Sequence, residues 1–352
     1  MQLGDSTKEE EPLLKVEDLI VRAYDVDRGI GFPVDGVSLK LNKGEILGLT
    51  GESGSGKTTT AYSILRLIGN AATHTQDPQR KVSSLGKIIS YREIVNGKIF
   101  FKGKDLLTLP EEEMNKIRGK EISMIFQNPI ASMHPMMMVG YQVGEPKEVH
   151  EKLRWEKIRE IVFDYLGKVE LPDAKLRAYY DPHRFSGGEG QRIMIAMALI
   201  CNPSLLVADE PTSSLDVITQ RQVLELIKRL KKEFDLSVLY ITHDLGVTFE
   251  MSDNVAIMYA GKIVEYGDAR TIWDKPRHPY TIGLKNAYPD LYGPKKHLKG
   301  IPGHPPTPFD RFPGCEFYPR CEYAKPSCNE RKPHAIEIEP GHWVSCLRVY
   351  DI

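Results

Sequence analysis

Along this 352-residue chain the spacing of apolar positions changes several times, and each change predicts an element. Residues 13–43 alternate apolar with polar side chains and carry Gly and Pro turns, the pattern of antiparallel strands. Glu45-Ile46-Leu47-Gly48-Leu49-Thr50 is a short apolar run that predicts a buried strand ending in a glycine-rich stretch. Beyond it, Ala61, Ile64, Leu65 and Ile68 recur at i, i+3, i+4 and i+7, which predicts a helix with Gly69 as its C-cap. Residues 70–96 are polar and without clear periodicity, and read as a surface insertion before a strand at Ile99-Phe100-Phe101.

The second half of the pattern is helical, then mixed. Ile158, Ile161, Val162, Tyr165, Leu166 and Val169 hold one helical face inside a block of about 140–190, a candidate helical subdomain. Ile193, Ala196, Met197 and Ile200 form another stripe, ended by Asn202-Pro203. Leu205-Leu206-Val207-Ala208 is a continuous apolar run of the kind found in central parallel strands. A helix over 217–234, burying Val223, Leu226, Ile227, Leu230 and Phe234, precedes a strand over 237–242. Strands alternating with helices predict an α/β sheet with ligands at the strand ends. From about 268 onward Pro becomes frequent and regular elements fade. The expected organisation is a disordered 1–12, a main domain over 13–267 and an appended tail over 268–352.

Composition narrows the class only a little. The length exceeds the usual ceiling for a single core, so subdomains are expected. A net charge of −1, with acids and bases interspersed, offers no reason to expect nucleic acid as a partner. Residues 1–11 are polar and acidic, unlike a secretory signal, and the longest apolar stretch, Ile193–Cys201, is too short to cross a bilayer. The expectation is a soluble, cytoplasmic protein, with docking on a membrane protein left open.

Three stretches carry chemistry. Gly51-Glu52-Ser53-Gly54-Ser55-Gly56-Lys57-Thr58 matches the G-x-x-x-x-G-K-[ST] pattern, between a strand and a helix as a phosphate-binding loop requires. Its backbone N–H groups and the helix dipole favour phosphate, Lys57 reaches the β- and γ-phosphates, and the Thr58 hydroxyl completes a Mg²⁺ shell. Asp209 ends the 205–208 strand and is expected on Mg²⁺. Glu210 is the natural general base or water-orienting group, and His243, after Tyr240-Ile241-Thr242, can reach the same γ-phosphate. Ser186, Gly187, Gly188 and Glu189 open a helix that has no phosphate of its own, an anion site useful to a second molecule's nucleotide. Cys315, Cys321, Cys328 and Cys346 cluster near the C-terminus, and in a cytosolic setting such clustering suggests metal ligation.

Taken in order, these motifs resemble the nucleotide-binding subunit of ABC transporters over nearly all of 13–270. The resemblance implies an α/β P-loop NTPase fold of ABC type: a RecA-like parallel sheet core, an antiparallel β subdomain and a helical subdomain. It makes Gln127, in Ile125-Phe126-Gln127-Asn128-Pro129, the Q-loop glutamine that senses Mg²⁺. Phe185 to Gln191 becomes the signature loop that binds a partner's ATP, with Phe185 and Glu189 where many relatives have Leu and Gln. Ser214-Leu215-Asp216 becomes the D-loop, and Glu210 with His243 the catalytic pair. The nucleotide set implied is Gly51, Ser53, Gly54, Ser55, Gly56, Lys57, Thr58, Thr59 and Gln127, with Tyr24 chosen as the adenine-stacking aromatic. Thr58, Gln127 and Asp209 would serve Mg²⁺.

The tail sequences Pro276-Arg277-His278-Pro279-Tyr280-Thr281 and Ile301-Pro302-Gly303-His304-Pro305-Pro306 resemble the C-terminal extension of oligopeptide and dipeptide importer ATPases. That branch implies a second, similar ATPase in a heterodimer, two transmembrane permeases and an extracellular solute-binding protein, with this chain at the cytoplasmic membrane face. Some of its members hold a [4Fe–4S] cluster on such cysteines, with Zn²⁺ the alternative. Peptides, oligosaccharides or nickel are all compatible as cargo. A soluble ABC ATPase of translation or DNA repair, and a sensor that does not hydrolyse, are the competing classes.

Overall fold

A computed structural model of the chain describes residues 11–71, 76–82, 88–289, 298 and 300–352. Its centre is an eight-stranded sheet built on the strand Ile46–Thr50. Asn254–Tyr259 lies parallel on one side of it, and Ser237–Thr242, Leu205–Asp209 and Ile122–Ile125 lie parallel in turn on the other. Ile46–Thr50, Leu205–Asp209 and Ser237–Thr242 are buried at every position. That burial on both faces explains why they read as unbroken apolar runs rather than alternating ones.

The parallel register brings several strand ends to one edge. Thr50 sits opposite Thr242, Ile241 opposite Asp209, and Ala208 opposite Ile125. The segments leaving these strands therefore emerge on the same side of the sheet. One face is covered by the helix Gly187–Leu199, on which Val139–Glu151 and Trp155–Lys168 pack as the helical block. A second, antiparallel sheet pairs Leu14–Asp25 with Gly29–Leu41 and with Ile88–Phe101, and shares its core with Leu47, Leu49, Leu239 and Ile241 of the main sheet.

Two expectations need correction. The helix behind the glycine loop runs Lys57–Ile64 and is capped at Leu65, not at Gly69. Arg66 takes φ 50° and sends its guanidinium to the Leu106 and Leu109 carbonyls. Leu65, at the cap, and Ile68, beyond the helix, still reach the core; Gly69–Asn70 is a short strand paired with Glu93 and Ile94. The expected insertion 70–96 is also not wholly irregular, since Ile88–Phe101 is one 14-residue strand. Its outer half is mostly half-buried or exposed, so apolar alternation is weak there. The parts of that insertion at 72–75 and 83–87, and the expected disorder at 1–10, lie outside the described residues.

The tail is bound into the sheet. Lys262–Asp268 runs antiparallel to Asn254–Tyr259, and the hairpin Ile336–Glu339 and His342–Val344 adds two further strands. A fully buried carboxylate joins these pieces: Glu265 accepts from the backbone N–H of Arg277 and His278 at 2.8 and 3.0 Å and from His342 Nε2 at 2.8 Å. Three donors satisfy a group that would otherwise be costly to bury.

His278 caps the helix Pro279–Asn286, its Nδ1 accepting from the Tyr280 N–H at 3.1 Å. Burial pushes its imidazole down to about 4, against the opposing pull of Glu265. The unfolded chain thus takes up a proton between about pH 6.5 and about pH 4 that the folded chain refuses, so stability is full above about 6.5 and declines through that window. The full effect is on the order of 3 kcal/mol. We expect urea midpoints to fall between about pH 7.5 and about pH 5, and to fall less in His278→Gln; an equal fall in both would refute the assignment.

A candidate nucleotide site at the carboxyl edge of the sheet

The loop 51–56 leaves the strand Ile46–Thr50 and opens the helix Lys57–Ile64. It lies so close to its surroundings that two positions admit only glycine. Gly51 has φ 150° and Gly56 φ 108°, and a Cβ would fall onto the Met258 carbonyl oxygen at the first and the Pro33 carbonyl oxygen at the second. Lys57 is 5% exposed, and its Nζ donates to the Gly51 and Glu52 carbonyls at 2.7 and 2.9 Å. Burial pulls its ammonium down, opposed by the charges of Glu210, Asp209 and Glu52. Ser53, Gly54 and Thr58 are exposed, Ser55 is buried, and Thr59 turns inward.

Beside the loop, the Thr58 hydroxyl donates to Asp209 Oδ1 at 3.2 Å. Asp209 is 3% exposed, and burial pushes its carboxyl up to about 6, with Glu210 adding repulsion and Thr58 and Lys57 opposing. Glu210 has φ 47° and is held from two sides: Gln127 Nε2 donates to Oε2 and His243 Nδ1 to Oε1, both at 3.0 Å. Each partner comes just after a different parallel strand. The predicted Lys57, Thr58, Gln127, Asp209, Glu210 and His243 are thereby gathered at one edge. Glu210 is thus fixed on both carboxylate oxygens in a left-handed backbone conformation.

Other predicted residues lie elsewhere. Tyr24 sits on the antiparallel sheet with its ring stacked on Tyr91 at 5.5 Å. Ser186 caps the helix Gly187–Leu199 in a reciprocal box: its Oγ accepts from the Glu189 N–H at 3.3 Å, and Glu189 accepts from the Ser186 N–H at 3.0 Å. Arg177 bonds Glu189 at 2.7 Å and, first among the causes, holds its carboxyl down at about 2. Asp216 caps the helix Val217–Glu233 through the N–H groups of Ile218 and Thr219, and Gly188 passes so close to Thr219 that a Cβ there would collide.

Cys315, Cys321, Cys328 and Cys346 line one cavity of about 20 Å³. Burial pushes the Cys315, Cys321 and Cys346 thiols up to about 11, while each accepts a backbone N–H two residues on, from Phe317, Tyr323 and Arg348, which opposes the shift. Such N–H···S bonds favour thiolate. Among the described residues, no group of three His, Cys, Asp or Glu side chains is placed to hold a single metal ion.

Sequence reasoning missed Arg177, Tyr280 and Arg320. Tyr280 Oη accepts the Glu52 N–H at 2.8 Å, and Arg320 grips the Glu52 carboxylate in a two-pronged ion pair at 2.6 and 2.9 Å. A separation of 268 residues leaves no periodic signal for that pair.

The loop, the buried Asp209 and the gripped Glu210 define a P-loop ATPase of the ATP-binding cassette class. Family models agree: residues 34–213 match ABC transporter, and 264–328 match the oligopeptide/dipeptide transporter C-terminal region. The oligopeptide transport ATP-binding protein OppD of Haemophilus influenzae is 43% identical over 95% of this chain and 97% of its own. That of Escherichia coli is 40% identical over 96% and 93%. Among solved structures, the dimeric cassette MJ0796 in a post-hydrolysis state with ADP and Pi superposes with a TM-score of 0.60 at 25% identity, over 73% of this chain and 99% of that one. The chain belongs to the ABC transporter family, in the branch bearing the oligopeptide/dipeptide C-terminal region, and is an ATPase. Among the described residues, no helix is long and apolar enough to cross a membrane.

Replacing Ser186 by Ala removes the capping acceptor and is expected to lower the unfolding free energy by about 1 kcal/mol. Urea denaturation of the nucleotide-free chain measures it; no change would mean that the capping box contributes nothing.

Proposed function

We propose that this chain is the ATP-hydrolysing subunit of a peptide importer, working at the cytoplasmic face of a membrane. The observation that carries the catalytic part is Glu210 fixed between Gln127 and His243, beside Lys57, Thr58 and Asp209. Gly51, Ser53, Gly54, Ser55, Gly56, Lys57, Thr58 and Thr59 hold the triphosphate, and Thr58, Gln127 and Asp209 hold Mg²⁺. When bound, Mg²⁺ would neutralise charge on the phosphates. Glu210 orients a water and accepts its proton as the oxygen attacks the γ-phosphorus and the bond to ADP breaks. His243 donates to the γ-phosphate and, through the same carboxylate, links that contact to Gln127. Tyr24 would stack on adenine from the antiparallel sheet.

Ser186, Gly187, Gly188 and Glu189 complete the site of a second ATPase subunit, with Asp216 at the seam. The outer face of the signature helix favours this, since Ser186 and Gly187 are exposed. A homologous but distinct ATPase, two permeases and an extracellular binding protein complete the assembly. Met136, Met137, Met138 and Tyr141, between 39% and 83% exposed, come soon after Gln127 and offer the permeases an adaptable apolar face. Peptides are the favoured cargo, because the relatives named above are described as oligopeptide transporters; oligosaccharide or nickel uptake and a soluble repair or translation role find no such support.

The four cysteines line one small cavity and three accept N–H bonds at sulfur, an all-thiol set for which we favour a [4Fe–4S] cluster, with Zn²⁺ the alternative. Its role would be to hold the tail together.

Two measurements test these readings. Glu210→Gln is expected to bind ATP as the parent does while turnover in the assembled transporter falls by at least about a hundredfold; near-parental turnover would sink the catalytic assignment. Anaerobically purified protein is expected to carry about four iron and four sulfide per chain, lost in Cys328→Ser. Zinc at one per chain would instead support the alternative.

A further inference from the structure

The C-terminal tail does more than extend the sheet, because it reaches the second residue of the glycine loop. Glu52 is held at every polar group. Its N–H donates to Tyr280 Oη, its carbonyl accepts from Lys57 Nζ and from the Ser55 N–H, and its carboxylate takes both prongs of Arg320. Arg320 is in turn fixed, at 6% exposure, with Nε donating to the Pro302 carbonyl at 2.8 Å and the guanidinium against Tyr259. Behind it Tyr259, Tyr280 and Phe317 form a ring cluster with centroids 4.6 to 5.5 Å apart. Only Tyr259 comes from the main sheet; the other two rings and Arg320 belong to the tail.

We propose that Arg320 is a positioning residue for the ATP phosphate loop, acting through Glu52 to hold the loop in its phosphate-accepting shape. The inference rests on 51–58 being that loop. A bidentate pair between a buried guanidinium and a half-buried carboxylate fixes both distance and plane, which a flexible lysine ammonium cannot do. Lys57 bonds the Glu52 carbonyl, so any drift of Glu52 also displaces the ammonium that must meet the β- and γ-phosphates. Tyr280 restrains the same peptide from its N–H side. The tail is thus the rear wall of the nucleotide site, and phosphate affinity depends on residues that never touch phosphate.

The test uses the full-length chain, with Mg–ATP affinity read by titration of a fluorescent ATP analogue and fold integrity by thermal unfolding without nucleotide. Arg320→Met and Glu52→Gln are each expected to weaken binding about tenfold, the scale of one lost charge-assisted pair. The double variant is expected to be no weaker than either single one by more than about twofold, since both remove the same contact. Arg320→Lys keeps charge without the fork and should fall between Arg320→Met and the parent. If Arg320→Met fails to fold, Glu52→Gln and Arg320→Lys carry the test. Unchanged affinity, a lowered melting temperature with unchanged affinity, or additive losses in the double variant would each overturn the proposal. Lys57→Ala separates the two levels: loss of binding upholds the loop reading, whereas parental binding would overturn that reading and this inference with it.

Discussion

Everything in this molecule depends on the burial of the strand Ile46–Thr50 between two parallel neighbours. Parallel pairing with Asn254–Tyr259 and Ser237–Thr242 removes both edges and both faces from water, so the strand has no freedom of register. Because its neighbours run the same way, their chemistry emerges at the same end. The glycine loop, Asp209–Glu210, His243 and Gln127 are brought together by sheet register alone, from segments far apart in the chain. The loop must then pass within atomic contact of Met258 and Pro33, which is why Gly51 and Gly56 tolerate no side chain.

The electrostatics of the site arise from that crowding. Asp209 and Glu210 are adjacent carboxylates in a region closed to solvent on one side, and the burial of Asp209 disfavours its charge. Lys57 is disfavoured for the same reason and sustained by the same acids. The result is a cluster in which a lysine ammonium and two carboxylates share one partly buried region. The signature loop has the opposite balance. Glu189 is satisfied within its own chain by Arg177 and by the Ser186 N–H, so it anchors the helix end while Ser186 stays at the surface.

The tail obeys a related constraint. With few regular elements of its own, it gains order by adding strands to the main sheet, by three donors converging on buried Glu265, and by rings packed on Tyr259. Arg320 and Cys321 are consecutive, so the short turn that grips the glycine loop is also a wall of the cysteine cavity. The tail and the glycine loop are thereby joined through Glu52.

Local pattern was enough to read the parallel strands at 46–50, 205–209 and 237–242, a helical block that contains the helices 139–151 and 155–168, the helices at 187–199 and 217–233, and the glycine loop with its lysine, but not the parallel strands at 122–125 and 254–259. These signals have periods of a few residues and need no partner to be seen. Asp209, Glu210 and His243 were legible because each comes at the end of an apolar run. The features that stayed hidden depend on distant pairing. The outer half of Ile88–Phe101 is held as a strand by pairing with Leu14–Asp25, Gly69–Asn70 and Lys81–Val82, and where the first helix ends Arg66 bonds carbonyls forty residues on. Arg177 holds Glu189 and Arg320 holds Glu52, pairs that no local period announces. The sequence by itself marked which residues are candidates for phosphate chemistry. Only the tertiary structure decided which of them are held, and by what, because ion pairs and caps join residues whose separation leaves no trace in any local period.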